Sequence, residues 1–406
     1  MKKFTLLTIL LMLTALVASA CAAGGAPECT DPIGCVEIGA DEPIRLAYML
    51  TISGGTAFLG EDSRGGIEIA IDDRGELLGH SIELVGEDSG CSAEGGQTAA
   101  QALATDTQIV GIIGSSCSSE ATAGLPIISD AGLLMISPSN TAPALTDPEQ
   151  TWKPGYYRTA HNDLFQGRVA AEFAYNELGA RSVATIHDGS PYADQLQQVF
   201  ATTMEELGGT VTAREAINVG DTDMTAILTQ IAAGSPDVLY FPIFTPEGPF
   251  IVAQAASIPG LEETILMGSD GLLAENFAPD SGPNAVGSYL SGPYVQGATY
   301  DAFLAKWTTK YGGSPPSGFH AFAYDATNIL LDAIVKVAQQ GEDGSLSIGR
   351  QALRDAVSAT SGFNGLTGTL TCSEYGDCAT GQALGIFEIT QAEVDGNFPP
   401  AAIWTP

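Results

Sequence analysis

In the stretch GSSCSSEATAGLPIISDAGLLMISPSNTAPALT, a single thiol, Cys117, sits between two pairs of serines. A cysteine attacks a carbonyl only with a base in hydrogen-bond reach, and His161 and His187 are the candidates. In an exported chain, however, a cysteine with an available partner is far more often half of a disulfide. The chain has no G-x-S-x-G, H-E-x-x-H or G-x-x-x-x-G-K-[ST], so hydrolase, zincin and P-loop chemistry lack support. Nothing points to a pair of carboxylates flanking a sugar.

Holding a zwitterion explains the same residues better. Ser118 and Ser119 fall where a strand turns into a helix, and free N–H groups and hydroxyls there accept a carboxylate without a counter-charge. Ser139 and Thr141, after the next strand, add a carbonyl and a hydroxyl. Asp270 follows a later strand and can meet an ammonium. Taken singly, each has a plainer role: serines cap helices, an aspartate after a strand makes a turn, and Phe58, Tyr192 and Phe244 fill cores.

These residues need elements to hold them, and the pattern supplies alternating strands and helices. IRLAYML, SIELVGED, IVGIIGS and LLMISPS read as strands, separated by helical stretches such as GGQTAAQALAT. A second series after YYRTA runs through SVATIHD, VTAREAI, DVLYFPIF and TILMGSD. The last third holds three helices and two strands, around GTLTC and GQALGIFEIT. This βαβ punctuation predicts an α/β fold of two doubly wound parallel-sheet lobes. In such sheets ligands bind at the carboxyl ends of the strands, which here carry TISGG, GSSCSS, SPSNT, HDGSPY, IFTPE and GSDG.

A length of 406 residues suits two domains, and a formal charge of −33 repels nucleic acid and anionic lipid. Lys2 and Lys3 precede an apolar run from Phe4 to Val17, too short to span a bilayer but suited to a signal peptide over residues 1–20. Ala18-Ser19-Ala20 before Cys21 reads either as lipoprotein processing, with Cys21 carrying the lipid and 21–42 a tether, or as an ordinary secretory cut. The other six cysteines allow 15 connectivities. Proximity suggests Cys29–Cys35 and Cys372–Cys378, which leaves Cys91 with Cys117. The four histidines are scattered and no C-x-x-C pair exists, so neither metal nor cofactor is expected.

From about Ile44 to about Phe387 the chain resembles the leucine/isoleucine/valine-binding proteins, type I periplasmic solute-binding proteins of branched-chain amino acid ABC importers. The likeness is strongest in GSSCSS…GLLMISPSNTAPALT, TIHDGSPYADQL, DVLYFPIFTPE and LMGSDGL. The resemblance implies a non-enzymatic receptor whose lobes are joined by a three-crossover hinge, and an ABC permease in the cytoplasmic membrane as partner. It also implies roles. Ser118 and Thr141 would hold the ligand's α-carboxylate, and the Ser139 carbonyl and Asp270 its ammonium. Tyr192 would close over the ligand, while Phe58 and Phe244 shape the side-chain pocket. A Cys91–Cys117 bridge would hold Ser118 in place. Asp270 stands where the family's best-known members carry Glu, and Phe244 where Tyr is usual. The implied crossovers lie near 159–160, 291–292 and 364–365, making lobe 1 residues 43–160 plus 292–364, and lobe 2 residues 161–291 plus 365–406. A receptor for a small amide or urea-type solute, or a ligand sensor uncoupled from transport, fits the same residues.

Overall fold

The computed structural model describes residues 27–379 and 383–406. The signal peptide, Cys21 and the start of the tether lie outside the described residues. After β1 (Cys35–Ile38) come β2 (Ile44–Leu50), β3 (Ile82–Asp88), β4 (Ile109–Gly114), β5 (Met135–Ser137) and β6 (Tyr156–Arg158). The last five form a parallel sheet in the order β3–β2–β4–β5–β6. β4 is IVGIIG and is buried throughout, as a strand covered on both faces must be. One face of the sheet packs Ile67, Leu330 and Ile334 from helices Ala57–Arg74 and His320–Val337. The other takes Ala99, Leu103 and Leu125 from helices Ala93–Thr105 and Ser118–Asp130.

The second sheet contains β7 (Ser182–His187), β8 (Thr210–Ala216), β9 (Val238–Tyr240), β10 (Ile265–Gly268) and β11 (Tyr289–Pro293), parallel in the order β8–β7–β9–β10–β11. The chain then returns to the first lobe. There β12 (Gln339–Gln340) and β13 (Leu346–Gly349) form a small antiparallel sheet with β1, and β14 (Phe363–Gly365) pairs with β15 (Gly368–Leu370). Finally β16 (Leu384–Glu388) and β17 (Ala402–Trp404) join the second sheet beside β11, both in antiparallel pairings.

Two changeovers between lobes differ from the sequence reading. All of β11 belongs to the second sheet, so Gly292 and Pro293 are not in lobe 1. The hairpin β14–β15 and the segment through Cys378 stay with lobe 1, where Leu370 and Cys378 join the core of Ile44 and Leu330. Arg158 fixes this segment. Its backbone N–H donates to the Gly376 carbonyl at 2.9 Å, and its buried guanidinium pairs with Asp377. Strand propensity marks GTL as extended but carries no address for the sheet it joins.

Candidate functional site

β4 and β5 are neighbours, so the segments leaving their carboxyl ends lie side by side. A hydroxyl network welds these segments together. Ser137 Oγ donates to the Ser115 carbonyl at 2.9 Å, Ser139 Oγ to the Ser116 carbonyl at 2.9 Å, and Asn140 Nδ2 to the Ser115 carbonyl at 3.0 Å. The Ala142 N–H in turn donates to Ser118 Oγ at 3.3 Å. Ser118 opens helix Ser118–Asp130, where the first N–H groups have no partner within the helix.

Glu120, three residues after Cys117, is buried and makes this corner rigid. Its carboxylate accepts the Cys117 N–H at 2.8 Å, the Cys91 N–H at 2.7 Å and the Thr51 hydroxyl. Burial pushes its pKa up, opposed by those hydrogen bonds. Cys91 and Cys117 are disulfide-bonded, as are Cys29–Cys35 and Cys372–Cys378. A bonded Cys117 has no thiolate to offer.

In the second lobe, β10 ends at Gly268 and delivers Ser269 and Asp270. Asp270 is 4% exposed. Its Oδ1 accepts the Tyr192 hydroxyl at 2.8 Å and Gln166 Nε2 at 2.7 Å. Ser269 Oγ lies 2.6 Å from the Tyr192 hydroxyl, so it donates to Tyr192 while Tyr192 donates to Asp270. Burial raises the Asp270 pKa to about 6, against the pull of Gln166 and Tyr192.

Ser116, Cys117, Ser118 and Ser139 of the first lobe, with Leu59 and Phe319, face Tyr192, Phe244 and Asp270 of the second across one void. Five residues singled out from sequence (Ser118, Ser139, Tyr192, Phe244 and Asp270) therefore meet. Thr141 is buried but is not in the void wall, and its hydroxyl turns toward Asp163. Phe58 is not in the void wall. It packs, half-buried, on the apolar cluster of Leu59, Cys117, Phe319 and Phe322, and Leu59 takes the wall position. One residue along a helix turns the side chain by about 100°, which suffices to exchange the two. Phe319 reaches the wall because helices His320–Val337 and Ala57–Arg74 pack closely. A Cβ on Gly66 would stand 2.2 Å from the His320 carbonyl oxygen.

The cleft is shut. The void is about 10 Å³, the space that one water needs. A Cβ on Gly55 would fall 2.7 Å from the Pro246 ring across the cleft mouth, and the Ala144 N–H donates to Gln195 Oε1 at 3.0 Å. Any larger solute enters only after the lobes part.

The fold agrees with that of known proteins. A family model described as Periplasmic binding protein matches residues 43–396. The chain belongs to the periplasmic binding protein family. It is 27% identical over 356 residues to the leucine-, isoleucine-, valine-, threonine-, and alanine-binding protein of Pseudomonas aeruginosa, covering 83% of this chain and 88% of that one. A leucine binding protein from Thermotoga maritima superposes with a TM-score of 0.78 at 27% identity, over 89% of this chain and 99% of that one. A branched-chain amino acid transporter substrate binding protein from Streptococcus pneumoniae, solved with isoleucine, shares the fold with a TM-score of 0.77 at 23% identity, over 90% of this chain and 100% of that one.

This periplasmic binding protein also carries a second acid that the sequence reading missed. Asp163, at the first position of helix Asp163–Asn176, is fully buried, and among the described residues its carboxylate has little beyond the Thr141 hydroxyl to satisfy it. Its backbone N–H donates to the Thr141 carbonyl at 3.0 Å. Burial and then the nearby Asp270 charge hold its pKa well above the ordinary value, against weaker pulls from Thr141 and Arg158. Gln166, one helical turn on, joins the pair to the hinge. Besides Asp270, its Nε2 reaches Ser291 Oγ at 3.1 Å, and its Oε1 meets His161 Nε2. Burial pushes the His161 pKa down to about 4, so this ring is neutral. His161 and His187 serve as base to no thiol here.

The disulfide offers a test of the rigid corner. Replacing Cys91 and Cys117 together by serine releases a loop of 26 residues, worth about 3 kcal/mol on chain-entropy grounds. Denaturant midpoints should fall accordingly, and ligand affinity should fall with them because Ser118 loses its anchor. An unchanged midpoint would show that Glu120 alone holds the corner.

Proposed function

We propose that this protein captures an amino acid with an apolar side chain between its lobes. One observation carries the reading: two buried carboxylates, Asp163 and Asp270, stand together, and Asp163 has little beyond the Thr141 hydroxyl to satisfy its oxygens. A buried charge without a partner is costly, and an ammonium group removes that cost. Ser118 Oγ, the Thr141 hydroxyl and the free N–H groups at the start of helix Ser118–Asp130 take the ligand's carboxylate. The Ser139 carbonyl with Asp163 and Asp270 takes its ammonium, and Tyr192 closes from the second lobe. Leu59, Phe244 and Phe319 face the side chain, with Phe58 packed behind them, and none of these four offers it a polar group. The relatives named for leucine, isoleucine and valine support the same class of ligand.

The reading extends to delivery. An ABC permease in the cytoplasmic membrane receives the amino acid, and Cys21 carries the lipid anchor outside that membrane. Metabolic labelling with a radiolabelled fatty acid should mark the full-length protein and fail to mark Cys21→Ser. Equal labelling of both forms would remove the anchor from Cys21.

Thermal-shift screening against the amino acids, small amides and urea tests the ligand class. Apolar amino acids should raise the melting temperature, and neutral amides should not. A response to amides alone would overturn the reading.

The acid pair sets a pH signature. Asp270 has a pKa raised from 3.8 to about 6 in the ligand-free protein, so folding prefers its protonated form. The resulting destabilisation is absent below the unfolded pKa, grows as pH rises towards 6, and is complete above it, at about 3 kcal/mol. Ammonium binding needs the ionised form. Affinity should therefore fall as pH drops through about 6, and because Asp163 is coupled to Asp270 the change belongs to the pair. Calorimetric titrations from about pH 5 to pH 7.5 read this directly. An affinity that does not vary over this range would mean that the ammonium is held without Asp270.

A further inference from the structure

A second cavity, of about 400 Å³, lies between the lobes and shares no wall residue with the ligand cleft. Its neighbours along the chain tie it to that cleft. Gly318 and His320 flank Phe319, and the Leu273 N–H donates to the Asp270 carbonyl at 3.0 Å. Tyr300, Leu304 and Thr308, on helix Ala298–Tyr311, form the wall on the first-lobe side. Phe387 of β16 and the segment Phe398–Ala402 form the opposite wall.

The lining chemistry is selective. Among the described residues no Asp, Glu, Lys or Arg lines this cavity, in a chain with a net charge of −33. His320 is its one other ionisable base, and both ring nitrogens are already engaged, Nδ1 with Asp62 Oδ1 at 2.9 Å and Nε2 with the Tyr300 hydroxyl at 2.7 Å. What remains is aromatic and proline surface from Tyr294, Tyr300, Phe387, Phe398 and Pro293. Ser317, a wall residue 4% exposed, carries a hydroxyl with no hydrogen-bond partner. The volume is in the range of small-molecule sites, which are mostly apolar with a few polar groups.

We propose that this cavity is a second ligand site, separate from the amino acid cleft, that takes a small neutral aromatic molecule bearing one hydrogen-bonding group. An anion finds no cation in the walls and faces the field of the whole chain. A cation finds no carboxylate. A flat neutral ring fills the space between Tyr300 and Phe387 and presents its polar edge to the hydroxyls. Because the walls belong to different lobes, an occupant also holds the lobes at this angle.

Indole is the probe. Titrated into the full-length protein without added amino acid, it should bind one to one with a dissociation constant below about 1 mM. Indole-3-acetate, of similar shape but anionic, should bind at least about tenfold more weakly. Two substitutions plug the cavity from the same helix, Leu304→Trp at a half-buried position and Thr308→Trp at an exposed one, so one tolerates misfolding of the other. Each folded variant should lose indole binding by about tenfold or more. Absence of saturable binding, equal binding of the anion, or affinity untouched by a folded plug variant would each overturn the proposal.

Discussion

Replacing Asp270 by asparagine should weaken amino acid binding by about a hundredfold or more, roughly 3 kcal/mol, without lowering the melting temperature of the ligand-free protein. The two halves of this outcome have one cause. Asp270 is buried with its pKa raised to about 6, and Asp163 beside it is raised as well. Ionised, they repel each other in a place where water cannot screen them. The ligand's ammonium turns that cost into attraction, so deleting one charge removes the attraction and relieves the cost. Asparagine keeps an oxygen for the Tyr192 hydroxyl and for Gln166 Nε2, so the local hydrogen bonds survive. Calorimetry and thermal unfolding measure the two halves separately. Unaltered affinity would remove Asp270 from the site, and a large fall in melting temperature would show that it is a structural acid.

Arg158→Met should cost stability on the opposite pattern, about 3 kcal/mol, the low end for breaking a buried ion pair because Asp377 keeps some contact with water. The Arg158 side chain is wholly buried, whereas that of Asp377 is 31% exposed. The guanidinium does more than pair. It donates to the Ala142 carbonyl at 2.9 Å and to Thr146 Oγ1 at 2.8 Å, bracing the loop that carries Ser139 and Thr141. Burial pushes the Asp377 pKa up, but Arg158, with hydrogen bonds from Thr146 and Asn162, leaves it below the usual value. Without Arg158 that carboxylate keeps only Thr146 and Asn162. Denaturant unfolding should therefore report a lower midpoint, and amino acid affinity should drop as the loop relaxes. Arg158→Lys, which restores charge but not the planar fork, should recover part of each. A midpoint that does not move in Arg158→Met would show that the hairpin is held without this pair.

Both predictions concern residues that the sequence treats unequally. Asp270 is legible because it follows a strand whose carboxyl end must face a crevice in a parallel sheet. Asp163 is not. An acid at the first turn of a helix, after a capping Asn162 whose side chain accepts the Leu164 N–H, is what any helix favours on electrostatic grounds. Its burial against Asp270 arises because the chain crosses between lobes at that point. Arg158 in YYRTA looks equally plain, and its partner lies 219 positions away.

The sequence by itself determined the alternation of strands and helices, the parallel run of strands in each of two sheets, the hydroxyl-rich segments at their carboxyl ends and an acid in the second lobe. These are local properties, since periodicity and turn chemistry are set by residues within a few positions. Only the tertiary structure decided that β14–β15 stays in the first lobe, that Leu59 displaces Phe58 from the wall, and that Asp163 joins Asp270. Each of those depends on where one element lands against another, and burial, unlike helix or strand character, is conferred by residues far away along the chain.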